Sequence, residues 1–398
     1  MKCILHIGTE KTGTTILQDW LYTNSQNLSD NGVYLSDLMG KTNNRLLVCY
    51  FMDNFDNWFL ANSISSQEEK NEFFKDFKHN IIKEVKKAEK SHEYMIITSE
   101  HFHSRLRKPE LISQLREFLY ELFDEVKVVC YFREQSAVRT SLYSTALKAG
   151  SDKTLEEFHH NVDPSHYYHN YFEIASRWSD IFGIDNCIFR IYDRKLFANS
   201  DLRYDFLSAV GLDSISKELD FNISSANESL TFIEGVLYRL INELTPLFLP
   251  QGGVNAKNRA LKQLISSQKA LKEGKIVADS SQEIYQRFEE CNKEFFNKFF
   301  DGKFLFNQVK KTYTTDSETK LPLEQVATML EELFRALSNT RDLRLLENKD
   351  ADILRDVALK YENGDPINKE EARKLMMLAN RARPHGGLIK RKLKEYSS

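Results

Sequence analysis

The sequence predicts an α/β protein: a parallel sheet flanked by helices, arranged as a P-loop type of nucleotide-binding core, with a mostly helical carboxyl-terminal extension. Three observations lead there. Short apolar, β-branched runs at residues 3–7, 94–98, 126–132 and 187–192 alternate with helix-like segments, and near-continuous apolar strands of this kind belong to parallel sheets covered on both faces. The first run feeds a turn rich in Gly, Lys and Thr, Gly8-Thr9-Glu10-Lys11-Thr12-Gly13-Thr14-Thr15. Beyond about residue 225 the β pattern fades and long helical patterns replace it.

The first strand, its loop and the helix after it read as a strand, an anion-binding loop and a first helical turn. N–H groups in the first turn of a helix have no intrahelical partner and carry partial positive charge, so a loop adding Lys and Thr donors there suits a phosphate-like group. A Walker A loop places its lysine directly after the second glycine. Here Gly8 and Gly13 keep that five-residue spacing, but Thr14 stands at the lysine position and Lys11 lies inside the loop. Such a loop suits a nucleotide with a shorter charged tail than a triphosphate. On pattern alone, an ordinary strand-to-helix turn with a solvated lysine is the alternative. The next helical segment carries Phe73, Phe74, Phe77, Ile81, Ile82 and Val85 at spacings of three and four, which predicts a core-facing stripe. Open α/β sheets bind ligands outside the carboxyl ends of their strands, so chemistry is expected at residues 8–15, 99–104, 133–141 and 193–195.

Helices are expected at residues 227–247, 256–272, 282–300 and 323–337. The polar stretch 310–320 reads as a linker between an α/β domain over 1–309, with its motifs in 3–247 and a helical part in 248–309, and a helical region over 321–398. Residues 350–384 read as a helical hairpin around Gly364-Asp365-Pro366. Ala372, Met376, Ala379 and Pro384 are spaced as in the second helix of a tetratricopeptide repeat. No second copy follows, which favours a helical cap on the core. The final Lys390-Arg391-Lys392-Leu393-Lys394 reads as a solvated helix end.

With 398 residues and 41% hydrophobic side chains, the chain has ample material for a buried core. A formal charge of −3, from 55 basic and 58 acidic residues, gives no global case for nucleic acid or an anionic membrane. No apolar run approaches the roughly 20 residues needed to span a bilayer, and the first residues lack a signal-peptide pattern, so the expectation is a soluble, cytoplasmic protein. Cys3, Cys49, Cys130, Cys187 and Cys291 are scattered and read as free thiols, not as disulfides or a metal site.

The third run delivers Arg133 to its end, and Ser141 and Tyr143 follow eight and ten residues later on an expected helix. A guanidinium can grip two phosphate oxygens and a serine hydroxyl can add a donor. Taken singly, Arg133 reads equally well as an ion-pair partner of Glu134 or Glu100, and Ser141 and Tyr143 as packing residues.

Taken together, the two segments resemble the sulfotransferases that use 3′-phosphoadenosine 5′-phosphosulfate. Their 5′-phosphosulfate loop is similar to Lys11-Thr12-Gly13-Thr14-Thr15, and their 3′-phosphate segment to Arg133 with Ser141 and Tyr143. The similarity continues weakly through Trp178, Phe182-Gly183, Arg190-Ile191-Tyr192, Asp205-Phe206-Leu207 and Gly211-Leu212, and is nearest to bacterial carbohydrate-type members. Where many members carry an Asn-Pro pair after the arginine, this chain has Glu134-Gln135. The resemblance implies a sulfuryl transfer from that nucleotide to a hydroxyl of a carbohydrate or glycolipid. Lys11 would stabilise charge growing on the leaving phosphate while Thr12, Gly13, Thr14 and Thr15 hold its oxygens. Arg133 and Ser141 would hold the 3′-phosphate, and no metal is expected.

The resemblance also implies a base shortly after the second run, where the sequence reads Thr98-Ser99-Glu100-His101-Phe102-His103. Glu100 is the first choice, because partial burial can raise a carboxylate toward the range useful for proton abstraction. His101 is second and His103 third, and either histidine reads equally as a cap or wall residue. On the acceptor side, His166-Tyr167-Tyr168-His169-Asn170-Tyr171-Phe172 is dense in rings that suit sugars, yet helical spacing favours an ordinary half-buried face. Asn227 is favoured as a helix N-cap. Two other classes compete: a P-loop kinase or nucleotide hydrolase, against which the position of Lys11 argues, and a non-catalytic nucleotide-binding scaffold whose helical extension binds a partner.

Overall fold

Alternating apolar strands can bury both faces only if helices cover both, and the chain does this along one crossover series. β1 (Lys2–His6) leads into α1 (Thr14–Thr23) and α2 (Ser25–Asp30), then β2 (Val33–Leu35). Next come α3 (Arg45–Phe51), α4 (Asn57–Ala61), α5 (Gln67–Phe73) and α6 (Phe77–Ala88), before β3 (Tyr94–Thr98). α7 (His101–Arg105) and α8 (Pro109–Tyr120) precede β4 (Glu125–Phe132). α9 (Gln135–Lys148), α10 (Leu155–His160) and α11 (Tyr171–Phe182) lead to β5 (Cys187–Ile191), and α12 (Leu202–Ala209) follows it. The computed structural model describes residues 1–160, 162–222, 229–249, 253–267, 280–307, 348–363 and 369–396.

The strands form one parallel sheet in the order β2-β3-β1-β4-β5. β1 is central: Lys2 lies opposite Tyr94 and Glu125, and His6 opposite Thr98 and Val129. Successive side chains on a strand leave by opposite faces. Cys3, Leu5 and Ile7 therefore join Met95, Ile97, Val128, Cys130 and Phe132 in one core layer, while Ile4 joins Ile96, Val129 and Tyr131 in the other. α8 and α11 pack Leu115, Phe118, Ile174 and Trp178 into the first layer, and α1 and α12 pack Leu17, Trp20, Leu21 and Phe206 into the second. The expected α/β class with a parallel, helix-flanked sheet is the observed one.

Two details differ from the sequence expectation. β2 has three residues with only Val33 and Leu35 buried, too short to show a period, and it forms an edge of the sheet. The stripe from Phe73 to Val85 is not one helix face, because α5 ends at Phe73 and α6 begins at Phe77. Phe73 is consequently 48% exposed whereas Phe74, Ile81 and Val85 are buried.

A buried polar network seats α12 on the sheet. Asp205 is fully buried and accepts from the Tyr131 hydroxyl at 2.8 Å, Arg190 Nε at 3.0 Å and the Ala198 amide at 3.0 Å. A buried carboxylate is tolerated only with such partners, and removing one costs about 3–5 kcal/mol. The network matters for the site because α12 carries Leu202 against the loop after β1.

The chain divides into two compact units, the first comprising the described residues of Met1–Thr145, Lys153–Ser229 and Val277–Thr312, the second those of Ala146–Asp152, Leu230–Ile276 and Tyr313–Ser398. In the first unit, α15 (Ser280–Arg287) and α16 (Glu289–Phe299) split the expected helix 282–300, and Phe295 packs 4.9 Å from the Phe132 ring. In the second, α13 (Phe232–Leu244) opens with a capping box between Thr231 and Glu234, and Tyr238 donates to the Lys262 carbonyl of α14 (Ala256–Ser267) at 3.0 Å. The same unit holds α17 (Asn348–Asn363), α18 (Lys369–Ala382) and α19 (Gly387–Glu395), whose seam buries Ala351, Ala358, Met376, Ala379 and Ile389. The expected linker 310–320, the expected helix 323–337, Asn227 itself and the Gly364-Asp365-Pro366 turn lie outside the described residues, and the helix expected from 227 starts at Phe232 with Thr231, not Asn227, as its N-cap. Among the described residues, no helix is long and apolar enough to cross a membrane.

Candidate functional site

The loop after β1 is held by its own backbone. The Ile7 amide donates to the Val129 carbonyl at 3.0 Å, Thr9 Oγ1 to the Tyr131 carbonyl at 2.9 Å, and Thr12 Oγ1 to the Thr9 carbonyl at 2.6 Å. Gly8, Lys11 and Gly13 all have positive φ, at 46°, 69° and 74°. A Cβ on Gly8 would fall 2.7 Å from Thr14 Cγ2, and one on Gly13 would fall 2.7 Å from Leu202 Cδ2 and 3.2 Å from the Tyr192 hydroxyl. Both glycines therefore serve conformation and space. Gly13 is the N-cap of α1, and having no side chain it leaves the first-turn amides of that helix without a side-chain cap. Thr14 is buried and Thr15 exposed. The Thr12 hydroxyl is committed inside the loop and the residue is buried.

The strand order places β2 and β3 on one side of β1 and β4 on the other, so a crevice opens where the connections diverge. There the two sequence-predicted phosphate segments meet. Arg133 Nη1 donates to the Lys11 carbonyl at 3.0 Å. Lys11 Nζ donates to Thr145 Oγ1 on α9 at 2.5 Å, and that hydroxyl donates to the Ser141 carbonyl at 3.4 Å. Lys11 and Arg133 are thus brought together, with Thr145 as an unanticipated third member; Ser141 is tied to them through its main-chain carbonyl, one turn before Thr145 on α9. Tyr143 is a wall residue, buried, with its hydroxyl donated to the Lys153 carbonyl at 3.0 Å.

The Glu134-Gln135 pair closes the start of α9. The Glu134 carboxylate accepts from the Ser136 amide at 2.8 Å, the Ala137 amide at 3.0 Å and the Ser136 hydroxyl at 2.5 Å. Burial pushes the Glu134 carboxyl above its ordinary value, and these hydrogen bonds offset part of that. Gln135 is buried and exchanges reciprocal amide hydrogen bonds of 2.9 and 3.0 Å with Asn292.

The ring-dense segment 166–172 supports both phosphate segments. Tyr171 donates to the Arg133 carbonyl at 2.5 Å, and Tyr168 donates to Glu10 Oε2 at 2.8 Å. Burial alone would raise the Glu10 carboxyl, but the hydrogen bond from Tyr168 and nearby positive charge, Arg105 included, outweigh it and hold it below the usual carboxylate range. Glu10, Thr145, Tyr168 and Tyr171 escaped the sequence reading as site residues. The signal available for the tyrosines was their density beside polar neighbours.

On the other side of β1, the Ser99 amide donates to the His6 carbonyl at 2.9 Å, which sets Glu100 behind Gly8. A Cβ on Gly8 would lie 3.5 Å from Glu100 Cα. Glu100 Oε2 accepts from Gln18 Nε2 of α1 at 2.8 Å, and Oε1 lies 3.9 Å from His101 Nε2. Burial lowers the His101 pKa and the Glu100 charge offsets part of the fall. His103 is buried, with Nε2 3.0 Å from the Tyr168 carbonyl. That nitrogen must carry the hydrogen, which fixes the tautomer. Burial pushes the His103 pKa down to about 4, so it is a neutral wall residue. Arg45 pairs with Asp56, and Arg105 Nε donates to the same carboxylate at 3.1 Å.

Among the described residues, no group of three or more His, Cys, Asp or Glu side chains is placed to hold a metal ion. The five cysteines are free thiols, with Cys3, Cys49 and Cys130 buried.

No protein-family model matches the sequence. An uncharacterized protein of Archaeoglobus fulgidus is 28% identical over 243 residues, 61% of this chain and 64% of that protein, so the match spans just under two thirds of the relative's length. The fold is similar to the crystal structure of a sulfotransferase from Alicyclobacillus acidocaldarius at a TM-score of 0.36 and 13% identity, covering 56% of this chain and 85% of that one. Likeness at that level assigns no activity.

Proposed function

We propose that the chain is a sulfotransferase that moves a sulfuryl group from 3′-phosphoadenosine 5′-phosphosulfate to a hydroxyl of a carbohydrate or glycolipid. The observation that carries the reading is the hydrogen bond from Arg133 to the Lys11 carbonyl. It unites an anion loop with an internal lysine and a second cationic segment 122 residues away in sequence, which suits a nucleotide with phosphate groups at two ends better than a triphosphate on one.

The residues fit such a nucleotide. The positive-φ turn at Gly8, Lys11 and Gly13 leads into the N-terminus of α1, a place suited to an anion, while only one of the Arg133 donors is committed to the Lys11 carbonyl. The nucleotide supplies an activated sulfuryl group, with the electron pair of the broken sulfur–oxygen bond left on phosphate. Lys11 and the amides of Gly13, Thr14 and Thr15 stabilise negative charge on that phosphate, and fixed donors of this kind need no rearrangement as charge grows. Arg133 and Ser141 hold the 3′-phosphate. Glu100 takes the proton of the acceptor hydroxyl as that oxygen bonds to sulfur, with His101 as the alternative base.

Isothermal calorimetry with adenosine 3′,5′-bisphosphate, followed by a transfer assay with labelled phosphosulfate donor against a panel of glycans and small alcohols, tests the proposal. Binding of the bisphosphate without magnesium and label transfer to a glycan are expected. Magnesium-dependent ATP binding with no bisphosphate binding would overturn it.

A further inference from the structure

Gln18 was no part of the sequence reading, yet it is 3% exposed on the second turn of the helix that follows the loop after β1. Its amide donates to Glu100 Oε2 at 2.8 Å across 82 residues of sequence. An uncharged side chain whose donor meets a carboxylate in the interior is there to hold that carboxylate in one orientation, because leaving either group unpaired there would be unfavourable. The bond leaves Oε1 as the oxygen turned toward His101.

We propose that Gln18 is the positioning residue for Glu100, and that α1 acts as a ruler: its first turn holds the phosphosulfate and its second turn holds the base. The proposal rests on Glu100 being the base. Its physical basis is that reacting groups must be held within a fraction of an ångström, which a single rigid helix does better than two independent loops. The packing of the Glu100 backbone behind Gly8 fixes the remaining distance. His101 of α7 lies beside Glu100, and the charged groups acting on that histidine are Glu100 itself, Arg45 of α3, Glu10 of the loop and Arg105 of α7.

Two variants separate positioning from structure. Gln18→Met conserves volume and removes the donor, and Gln18→Glu conserves shape and places a second carboxylate against Glu100. Carbon-13 NMR of carboxyl-labelled glutamate follows the Glu100 midpoint directly, with the resonance assigned by its loss in Glu100→Gln. The expected result is a midpoint raised in Gln18→Met by loss of a donor to the charged form, and raised further in Gln18→Glu by like-charge repulsion. In the transfer assay, kcat for Gln18→Met should fall about 10-fold or more, with the acid limb of its pH profile moved up and bisphosphate affinity unchanged. An unmoved midpoint in both variants would overturn the proposal. A moved midpoint in a protein that transfers no sulfuryl group would keep the positioning role and remove the sulfotransferase reading instead.

Discussion

The crevice between β1 and β4 and the ground between β1 and β3 are built from different materials. Toward β4, side chains grip backbone: Thr9, Thr12 and Arg133 donate to the carbonyls of Tyr131, Thr9 and Lys11, around a turn that is left-handed at 8, 11 and 13. Toward β3 the contact is side chain on side chain, with Glu100 on Gln18, and Arg45 and Arg105 on Asp56. A turn fixed by its own carbonyls tolerates few backbone changes, whereas a side-chain cluster can be retuned by single substitutions. Under the proposed function, the first half would serve the nucleotide and the second the acceptor.

Breaking each half should give different kinetic signatures. The largest effects are expected from Lys11→Ala and Glu100→Gln, each lowering the transfer rate by about 100- to 1,000-fold. In both, circular dichroism should keep the wild-type spectrum. If the halves are separate, only Lys11→Ala also weakens bisphosphate binding in calorimetry, and equal weakening by both variants would erase the distinction. Arg133→Ala is expected to reduce bisphosphate affinity by about 10- to 100-fold through loss of a charge-assisted contact. An unchanged affinity would remove it from the 3′-phosphate role.

Acid should act through the buried histidines, which include His159 and His169 as well as the two on the β3 side. His103 has its pKa lowered by burial from 6.5 to about 4, and His6 from 6.5 to about 3. Below pH 6.5 the unfolded chain binds protons that the folded chain does not. Stability is therefore full above 6.5 and is lost as pH falls toward 4, by up to about 1.4 kcal/mol per pH unit for each imidazole. Urea unfolding at pH 7 and pH 5 measures this, and His103→Gln, which keeps a donor for the Tyr168 carbonyl, should flatten the dependence. The smallest effect is expected from Tyr171→Phe, which leaves the Arg133 carbonyl without its hydroxyl partner and should cost about 1 kcal/mol in the same assay.

The strands at residues 94–98 and 126–132 were legible because both faces of each are buried, which leaves a continuous apolar run in the sequence. The meeting of Lys11 with Arg133 was legible as two ordered motifs. β2 was not, since three edge residues carry no period, and neither was the break between Phe73 and Phe77, where apolar spacing runs on through a helix end. Tyr168 and Tyr171 looked like one face of a helix, yet their hydroxyls secure Glu10 and the Arg133 carbonyl, contacts that span 158 and 38 residues. Periodicity reports that a ring is half-buried and is silent on what its polar edge touches.

By itself the sequence determined the α/β class, the Gly, Lys and Thr turn with its displaced lysine and the arginine that follows β4, because each of these is a local consequence of residue type and order. Only the tertiary structure decided that Gln18 grips Glu100, that Glu134 closes the start of α9 and that Thr145 receives Lys11. The last of these and the first are contacts between residues distant in the chain, set by strand order and helix packing, and the capping by Glu134 takes shape only where β4 ends and α9 begins.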